Sequence, residues 1–206
     1  MTRVYEAPPT IAKFILLKNR VQLLMGPIGG GKTTGVLMKL LALCHQQAPN
    51  QNGKRKTRWA VVRNTRPQLR DSVLKTVFDW LPPDGVRVIW RESDMTMLLN
   101  LPQADGTVVE AEIFFRALDD EQDARRLLSV EFTGVWFSEF REIPLQLLTD
   151  ALSRTGRYPS SADGGPTWHG LLGESNFPTR GSDWFHYLEV EPPSYMVLLK
   201  QPSGIS

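Results

Sequence analysis

The sequence predicts an α/β fold in which helices flank a mainly parallel central sheet. Short apolar runs that suit buried strands alternate along the chain with longer segments that suit helices. A glycine-rich segment separates the first apolar run from the first long helix. The 206 residues, 41% of them hydrophobic and 22% charged, are enough for one well-cored domain.

Charge and cysteine content exclude several classes of protein. The net charge is only +2, so the overall balance gives no electrostatic case for nucleic-acid binding. The single cysteine, Cys44, excludes an internal disulfide framework, and its place in an apolar helical run predicts a buried small side chain. The histidines, His45, His169 and His186, lack metal-ligand spacing. Without a signal peptide or an apolar run of membrane length, the sequence predicts a soluble intracellular protein.

The first half of the chain predicts two strands and two helices. The expected strands are residues 21–25 and 59–63, and the expected helices are residues 32–45 and 67–80. The first strand ends abruptly at Gly26, and Pro67 suits the first position of a helix. Residues 48–58, between the first expected helix and the second expected strand, are polar and basic and predict an exposed loop.

The second half changes its pattern and predicts an antiparallel insertion. Residues 86–90, 95–101 and 107–115 are short strand candidates, separated by turns at Ser93-Asp94 and Asp105-Gly106. Strand and helix then alternate again. The expected helices are residues 119–128 and 144–153, and the expected strands are residues 132–137, 169–173 and 195–199. The insertion is therefore expected on an otherwise parallel sheet.

Residues 26–33, Gly-Pro-Ile-Gly-Gly-Gly-Lys-Thr, match the pattern G-x-x-x-x-G-K-[ST] without a mismatch. Glycines let backbone N–H groups approach phosphate oxygens, and the following helix N-terminus adds positive charge. Lys32 is expected to neutralise the β- and γ-phosphates of ATP, and the Thr33 hydroxyl to ligate Mg²⁺. A glycine-rich turn without a ligand is the alternative, but a strand precedes the motif and a helix follows it. The expected ATP-binding residues are Gly26, Pro27, Ile28, Gly29, Gly30, Gly31, Lys32, Thr33 and Thr34.

Residues 134–139, Gly-Val-Trp-Phe-Ser-Glu, are the best candidate for a Walker B strand, which ends in an acidic residue. Glu139 is expected to face the γ-phosphate and to act as the general base for water, with Glu142 as the alternative base. Ser138 occupies the position where most P-loop ATPases have the Mg²⁺-associated aspartate, and it can hold the metal only weakly or through water. Together with the P-loop, this pair narrows the predicted fold class to an ASCE-type P-loop NTPase with ATP and Mg²⁺ as cofactors.

The chain resembles the ATPase domain of tailed-phage terminase large subunits. The likeness rests on short segments in the family's order, of which only the P-loop is specific alone. They are Gly-Pro-Ile-Gly-Gly-Gly-Lys-Thr-Thr (26–34), Arg-Asn-Thr (63–65), Leu-Leu-Ser-Val-Glu (127–131), Phe-Ser-Glu-Phe-Arg-Glu-Ile-Pro (137–144), Arg-Thr-Gly-Arg-Tyr-Pro (154–159) and Gly-Glu-Ser-Asn-Phe-Pro (173–178). The resemblance extends over residues 5–200. The sequence departs from the family's pattern at two places. Ser138 stands where an aspartate is usual, and the P-loop has no arginine at its variable positions.

The resemblance implies an ATP-driven motor that moves double-stranded DNA into a procapsid. It also implies a homo-oligomeric ring docked on a portal protein, a terminase small subunit as partner and a place in the host cytoplasm at the portal, with no membrane. A monomer in isolation is the alternative state. We expect an ATPase domain over residues 1–200 and the start of a linker at residues 201–206. We expect the C-terminal nuclease domain to be absent, so this chain is not expected to cut DNA.

Ring ATPases often take a charge-stabilising arginine from a neighbouring subunit. By position, Arg125 and Arg126 are the candidates, and solvated helix charges are the alternative. Arg63 is a further candidate cation that could sense the nucleotide, or simply pair with a nearby acid.

Two further segments are candidates for roles in the motor. Ser175 and Asn176 could contact the attacking water or the γ-phosphate and report its loss, or form an ordinary turn. The basic residues of the expected loop are candidates for DNA contact, although a charge run is usually a solvated face. They are Lys54, Arg55, Lys56 and Arg58.

Three other functions compete with a packaging motor. A small-molecule kinase would use a lid rich in arginine, for which Arg154, Arg157 and Arg180 are available. A nucleotide-dependent switch would barely turn over, which the presence of Glu139 disfavours. A helicase-type DNA translocase is close in mechanism and is distinguished by strand unwinding.

Overall fold

A computed structural model describes residues 4–202 of the chain. Within them, eight strands form one sheet in the order β3-β4-β5-β2-β6-β7-β1-β8. The strands are β1 (Val21–Met25), β2 (Lys54–Arg63), β3 (Val88–Arg91), β4 (Thr96–Pro102), β5 (Val108–Ala117), β6 (Gly134–Ser138), β7 (Gly170–Ser175) and β8 (Met196–Lys200). The expected domain start at residues 1–3 and the expected linker residues 203–206 lie outside the described residues.

Helices cover both faces of this sheet. The α-helices are α1 (Pro9–Leu16), α2 (Lys32–Gln46), α3 (Arg66–Gln68), α4 (Lys75–Trp80), α5 (Glu121–Leu128), α6 (Leu145–Leu152) and α7 (Asp183–Phe185). A π-helical turn at Leu69–Leu74 joins α3 to α4 and another at His186–Val190 continues α7, while 3-10 turns lie at Phe140–Glu142 and Ser161–Asp163. The predicted class, a mainly parallel sheet flanked by helices, is confirmed. No helix in the described part of the chain is long and apolar enough to cross a membrane.

Parallel pairing runs without interruption from β5 through β2, β6, β7 and β1 to β8. Every residue of β1, β6 and β7 is buried, as expected for strands that helices cover on both sides. Along β1, Leu24 packs into one apolar layer, whereas Leu23 and Met25 pack into the other. Because these strands are parallel, their carboxyl ends lie at one edge of the sheet, where ligands bind in such folds.

The predicted antiparallel insertion is confirmed. β3 pairs with β4 and β4 with β5 in antiparallel register, and β5 then joins the parallel sheet through β2. The turn between β4 and β5 contains Gly106 at φ 81°, and Asp105 accepts a hydrogen bond from the Thr107 backbone N–H at 3.0 Å. The insertion lies at the edge of the sheet farthest from β1 and β8.

The prediction of an exposed loop over residues 48–58 is wrong in its second half, because β2 already begins at Lys54. Each basic side chain of this segment contacts a carboxylate, which allows a run of cations to form a strand. The pairs are Lys54–Glu110 at 2.6 Å, Arg55–Asp105 at 2.8 Å, Lys56–Asp163 at 3.1 Å and Arg58–Glu112 at 2.6 Å. These cations are therefore neutralised within the fold.

The helix α1 was not predicted and closes the sheet face beside α2. Pro9 begins it, as suits a residue without a backbone N–H, and Phe14 is fully buried, so Phe14 belongs to the core. Lys39 of α2 is buried and donates from Nζ to the Ile15 carbonyl at 2.8 Å, so α2 satisfies the end of α1. Cys44 is buried, as predicted.

Candidate active site

The P-loop, residues 26–33, connects β1 to α2 at the carboxyl edge of the sheet. Gly29 and Gly31 have φ of 78° and 72°, which L side chains rarely adopt. The loop borders a cavity of about 360 Å³. The cavity is lined by Ile28, Gly29, Gly30, Gly31, Lys32, Thr33, Thr34, Thr76, Glu139 and Asn176. Most of the predicted ATP-binding residues therefore surround one space.

Gly26 and Pro27 support the loop from below and do not line the cavity. The Gly26 backbone N–H donates to the Ser175 carbonyl at 3.2 Å, which joins the P-loop to the end of β7. The Pro27 carbonyl accepts from Lys32 Nζ at 2.8 Å. Ile28 lies at the outer rim with 86% of its surface exposed.

Lys32 places a mostly buried ammonium group at the cavity wall. Its Nζ also donates to Asn176 Oδ1 at 3.2 Å. Burial lowers the pKa of Lys32, while the carboxylates of Glu174 and Glu139 act in the opposite direction. A cation held by neutral oxygen atoms in such a place suits the oxygens of a phosphate chain.

Glu139 directly follows β6 and lies across the cavity from the P-loop. Its backbone is left-handed, with φ 49° and ψ 54°, an uncommon state that clusters at functional sites. Its Oε2 accepts hydrogen bonds from Ser175 Oγ and from the Asn176 backbone N–H, both at 3.1 Å. Asn176 therefore contacts both Lys32 and Glu139, and the two predicted coupling residues hold the predicted base.

Ser138 ends β6 and is buried beside a residue that the sequence analysis missed. That residue is Glu174 of β7, which is opposite Ser138 in the sheet register and opposite Leu24 of β1 on its other side. Its Oε1 lies 3.4 Å from Thr33 Oγ1. A charged residue inside the buried run of β7 was the signal that could have identified it.

Glu174 is 1% exposed, and burial raises its pKa to about 7, while a hydrogen bond with Ser138 acts in the opposite direction. Its Oε2 accepts from the Glu139 backbone N–H at 3.3 Å. The oxygen atoms of Thr33, Ser138 and Glu174 fit Mg²⁺, which prefers oxygen ligands and takes most of them from phosphate and water. In residues 4–202 no group of three or more His, Cys, Asp or Glu side chains could hold a metal alone.

Arg141 is a second residue that the sequence analysis did not single out. It lies two residues after Glu139, with its Nε 3.6 Å from Glu139 Oε2. Its Nη1 donates to the Phe177 carbonyl at 3.1 Å. Arg141 thus links the turn after β6 to the turn after β7, on the exposed side of Glu139.

Solved structures with the same architecture include large terminases of bacteriophages. The large terminase of the thermophilic bacteriophage D6E aligns with a TM-score of 0.70 at 15% identity, over 94% of this chain and 45% of that one. The Thermus phage P74-26 large terminase ATPase domain aligns with a TM-score of 0.62 at 13% identity, over 95% of this chain and 81% of that one. This chain has the fold of a large-terminase ATPase domain.

The comparisons also define the extent of the match. This chain spans less than half of the D6E large terminase, which has also been solved in complex with ADP and with ATP-gamma-S. The Phi-28 gp11 DNA packaging motor aligns with a TM-score of 0.53 at 14% identity, over 95% of this chain and 60% of that one. No protein-family model and no curated protein sequence matches the chain.

Arg63, the candidate nucleotide sensor, is buried behind the turn that follows β6. Its Nη1 donates to Glu142 Oε2 at 3.0 Å and to the Ser138 carbonyl at 3.4 Å. Neither Arg63 nor Glu142 lines the cavity. The pairing of Arg63 with a nearby acid is therefore present, and Glu139 is better placed than Glu142 to act as the base.

Arg125 and Arg126 lie on the exposed side of α5, away from the P-loop cavity of the same chain. Arg126 contacts Asp123 at 3.3 Å and Arg125 contacts Glu121 at 3.8 Å. Within one chain, the fold does not bring either arginine to the phosphate site. A role for them at the site of a neighbouring subunit stays a prediction.

The three arginines considered for a kinase lid also lie outside the cavity lining. Arg157 contacts Glu131 at 3.9 Å, and the Arg154 carbonyl accepts from the Phe132 backbone N–H at 3.0 Å. None of these three arginines therefore gives a phosphate acceptor an arginine-lined space beside the P-loop.

Gln201 attaches the chain after β8 to the P-loop. Its backbone N–H donates to the Met25 carbonyl and its Nε2 to the Gly30 carbonyl, both at 2.7 Å. A Cβ at Gly26 would lie 2.9 Å from the Gln201 Cβ, so Gly26 also makes room for this contact. The structure therefore joins the last strand to the phosphate site.

Proposed function

We propose that this chain is the ATP-hydrolysing motor domain of a viral terminase large subunit, which drives double-stranded DNA into a procapsid. The observation that carries the proposal is the placement of Glu139 across one cavity from the P-loop, with its carboxylate held by Ser175 and Asn176. The fold shared with large-terminase ATPase domains supports the same function.

The residues around the cavity divide the reaction among them. The P-loop amides and Lys32 would bind the β- and γ-phosphates of ATP. Thr33 and its neighbours would hold Mg²⁺, which neutralises charge that develops on the phosphates. Glu139 would take a proton from the attacking water as the water oxygen bonds to the γ-phosphorus and ADP leaves. The products are ADP and inorganic phosphate.

Asn176 is the residue that we propose for coupling hydrolysis to movement. Its side chain accepts from Lys32 and its backbone N–H donates to Glu139. Loss of the γ-phosphate would change the charge that both partners face, so the turn after β7 would respond first. Ser175 shares the contact with Glu139 and belongs to the same unit.

The partners follow from the proposed role. We infer an ATPase domain over residues 1–200, followed by a linker, that works as a homo-oligomeric ring on the portal protein in the host cytoplasm, with the terminase small subunit and double-stranded DNA as partners. In such a ring Arg125 or Arg126 would reach the site of the adjacent subunit. Cleavage of DNA by this chain is not part of the proposal.

Phosphate release from ATP and Mg²⁺ tests the proposal. We expect turnover per chain to rise with protein concentration, because the neighbour completes the site, and Glu139→Gln to lower it by about 10²–10⁴-fold while ATP still binds. Glu142→Gln is the matched control, since this nearby carboxylate lies outside the cavity lining. Full turnover in Glu139→Gln, or release that requires an added phosphate acceptor, would overturn the proposal.

A further inference from the structure

The end of β6 lacks the carboxylate that most P-loop ATPases place there for the metal. Ser138 occupies this position, fully inside the sheet, with 3% of its surface exposed. A serine hydroxyl carries no negative charge, so by itself it adds little to the binding of a divalent cation. The site described above is therefore incomplete if only residues of β1, α2 and β6 are considered.

Glu174 supplies a carboxylate at the same level of the sheet from the next strand. β7 lies between β6 and β1, and Glu174 is in register with Ser138. Its two oxygens point to the two halves of the site: Oε1 to Thr33 Oγ1 at 3.4 Å, and Oε2 to the Glu139 backbone N–H at 3.3 Å. The carboxylate is thus placed between the P-loop and the base.

The surroundings of Glu174 give no structural reason for a charged residue. Within residues 4–202 it forms no ion pair, and its hydrogen-bond partners are the Thr33 and Ser138 hydroxyls and the Glu139 backbone amide. A buried carboxylate without an ion-pair partner is costly in folding free energy. An uncharged side chain would fill the same place at lower cost, which indicates that the charge serves a ligand.

We infer that Glu174, rather than Ser138, supplies the carboxylate for the Mg²⁺ that accompanies ATP, acting beside the Thr33 hydroxyl. The inference rests on the proposed ATPase function. Glu174 would accept hydrogen bonds from the groups that ligate the metal, and Ser138 would orient Glu174. The P-loop threonine and the acidic residue then come from α2 and β7, and Glu139 keeps its whole carboxylate for water.

Binding of a fluorescent ATP analogue, with Mg²⁺ and with EDTA, separates this role from a structural one. We expect Glu174→Gln to bind the analogue in EDTA as the wild type does, but to lose about 10-fold or more of the affinity that Mg²⁺ adds. Glu139→Gln is the matched control: it removes the adjacent carboxylate and should keep the Mg²⁺ effect. Electron paramagnetic resonance of Mn²⁺ with ADP should report weaker metal binding in Glu174→Gln but not in Glu139→Gln.

A relocation of the carboxylate completes the test. The double variant Ser138→Asp/Glu174→Gln restores the usual position of the charge and should recover most of the Mg²⁺ effect. An unchanged Mg²⁺ effect in Glu174→Gln, or a larger loss of it in Ser138→Ala than in Glu174→Gln, would overturn the inference and leave the ATPase proposal standing. A wild type that binds no ATP under either condition would overturn both.

Discussion

The phosphate site and the basic end of β2, residues 54–58, use charged residues in opposite ways. On β2, each of the four cations among residues 54–58 contacts a carboxylate at 2.6–3.1 Å. At the phosphate site, Lys32, which lines the cavity, and Glu174, which contacts the cavity residue Thr33, are both buried. Within residues 4–202, both are held by hydrogen bonds to uncharged groups. At the phosphate site, therefore, these two charges that would act on a ligand are buried and, among residues 4–202, have no ion-pair partner, whereas the dense run of cations on β2 is neutralised within the fold.

The largest effect on turnover is expected for the arginines of α5. Within one chain they contact carboxylates, as the cations of β2 do. If Arg126 acts on a neighbouring subunit, Arg126→Ala should lower turnover by about 10³-fold or more. A mixture of Arg126→Ala and Glu139→Gln chains should then recover part of the phosphate release. If phosphate release does not recover for either Arg126 or Arg125, these arginines are surface charges and do not act on a neighbouring subunit.

The second prediction concerns the free energy of unfolding and the buried carboxylate of Glu174 at the phosphate site. The folded-state pKa of Glu174 is raised from 4.5 to about 7, so the fold favours the protonated form. The resulting penalty develops as the pH rises from about 4.5 and is complete above about 7. Glu174→Gln should therefore raise the free energy of unfolding without nucleotide by about 3 kcal/mol at pH 8, with little change at pH 4.

Denaturant unfolding at the two pH values measures this effect. Glu112→Gln is the control, because this half-exposed carboxylate already contacts Arg58. Equal stability of wild type and Glu174→Gln at pH 8 would mean that Glu174 is solvated or paired in solution, and would remove the contrast between the two regions.

The smallest effect is expected on β2. Arg58 and Glu112 are partly exposed, at 26% and 36% of their side-chain surfaces, and such pairs contribute about 0–1 kcal/mol. A double-mutant cycle with Arg58→Ala and Glu112→Ala should give a coupling energy below about 1 kcal/mol and unchanged phosphate release. A large loss of turnover would mean that this pair on β2 and β5 takes part in the motor's activity.

Local motifs predicted one part of the site and strand order decided the rest. The P-loop and Glu139 each lie within a few residues of a strand end, so sequence spacing was enough to place them. The contact between Thr33 and Glu174 joins residues 141 positions apart. It depends on the insertion of β7 between β6 and β1, which no local pattern determines.

The errors in secondary structure have a similar origin. Lys54 to Arg58 were expected in a loop because residues 48–58 are polar and basic. Their acidic partners come from β5, from the turn before it and from a distant 3-10 turn. The strand therefore forms through contacts that the local sequence does not contain.

The two hydrogen bonds of Gln201 attach the chain after β8 to the Met25 and Gly30 carbonyls, and hence to the loop that would grip the phosphates. Tension applied to this part of the chain would act on those two bonds. The loop would thus be both a binding pocket and an anchor point under load. Force on the chain and affinity for nucleotide would then be linked quantities, each able to change the other.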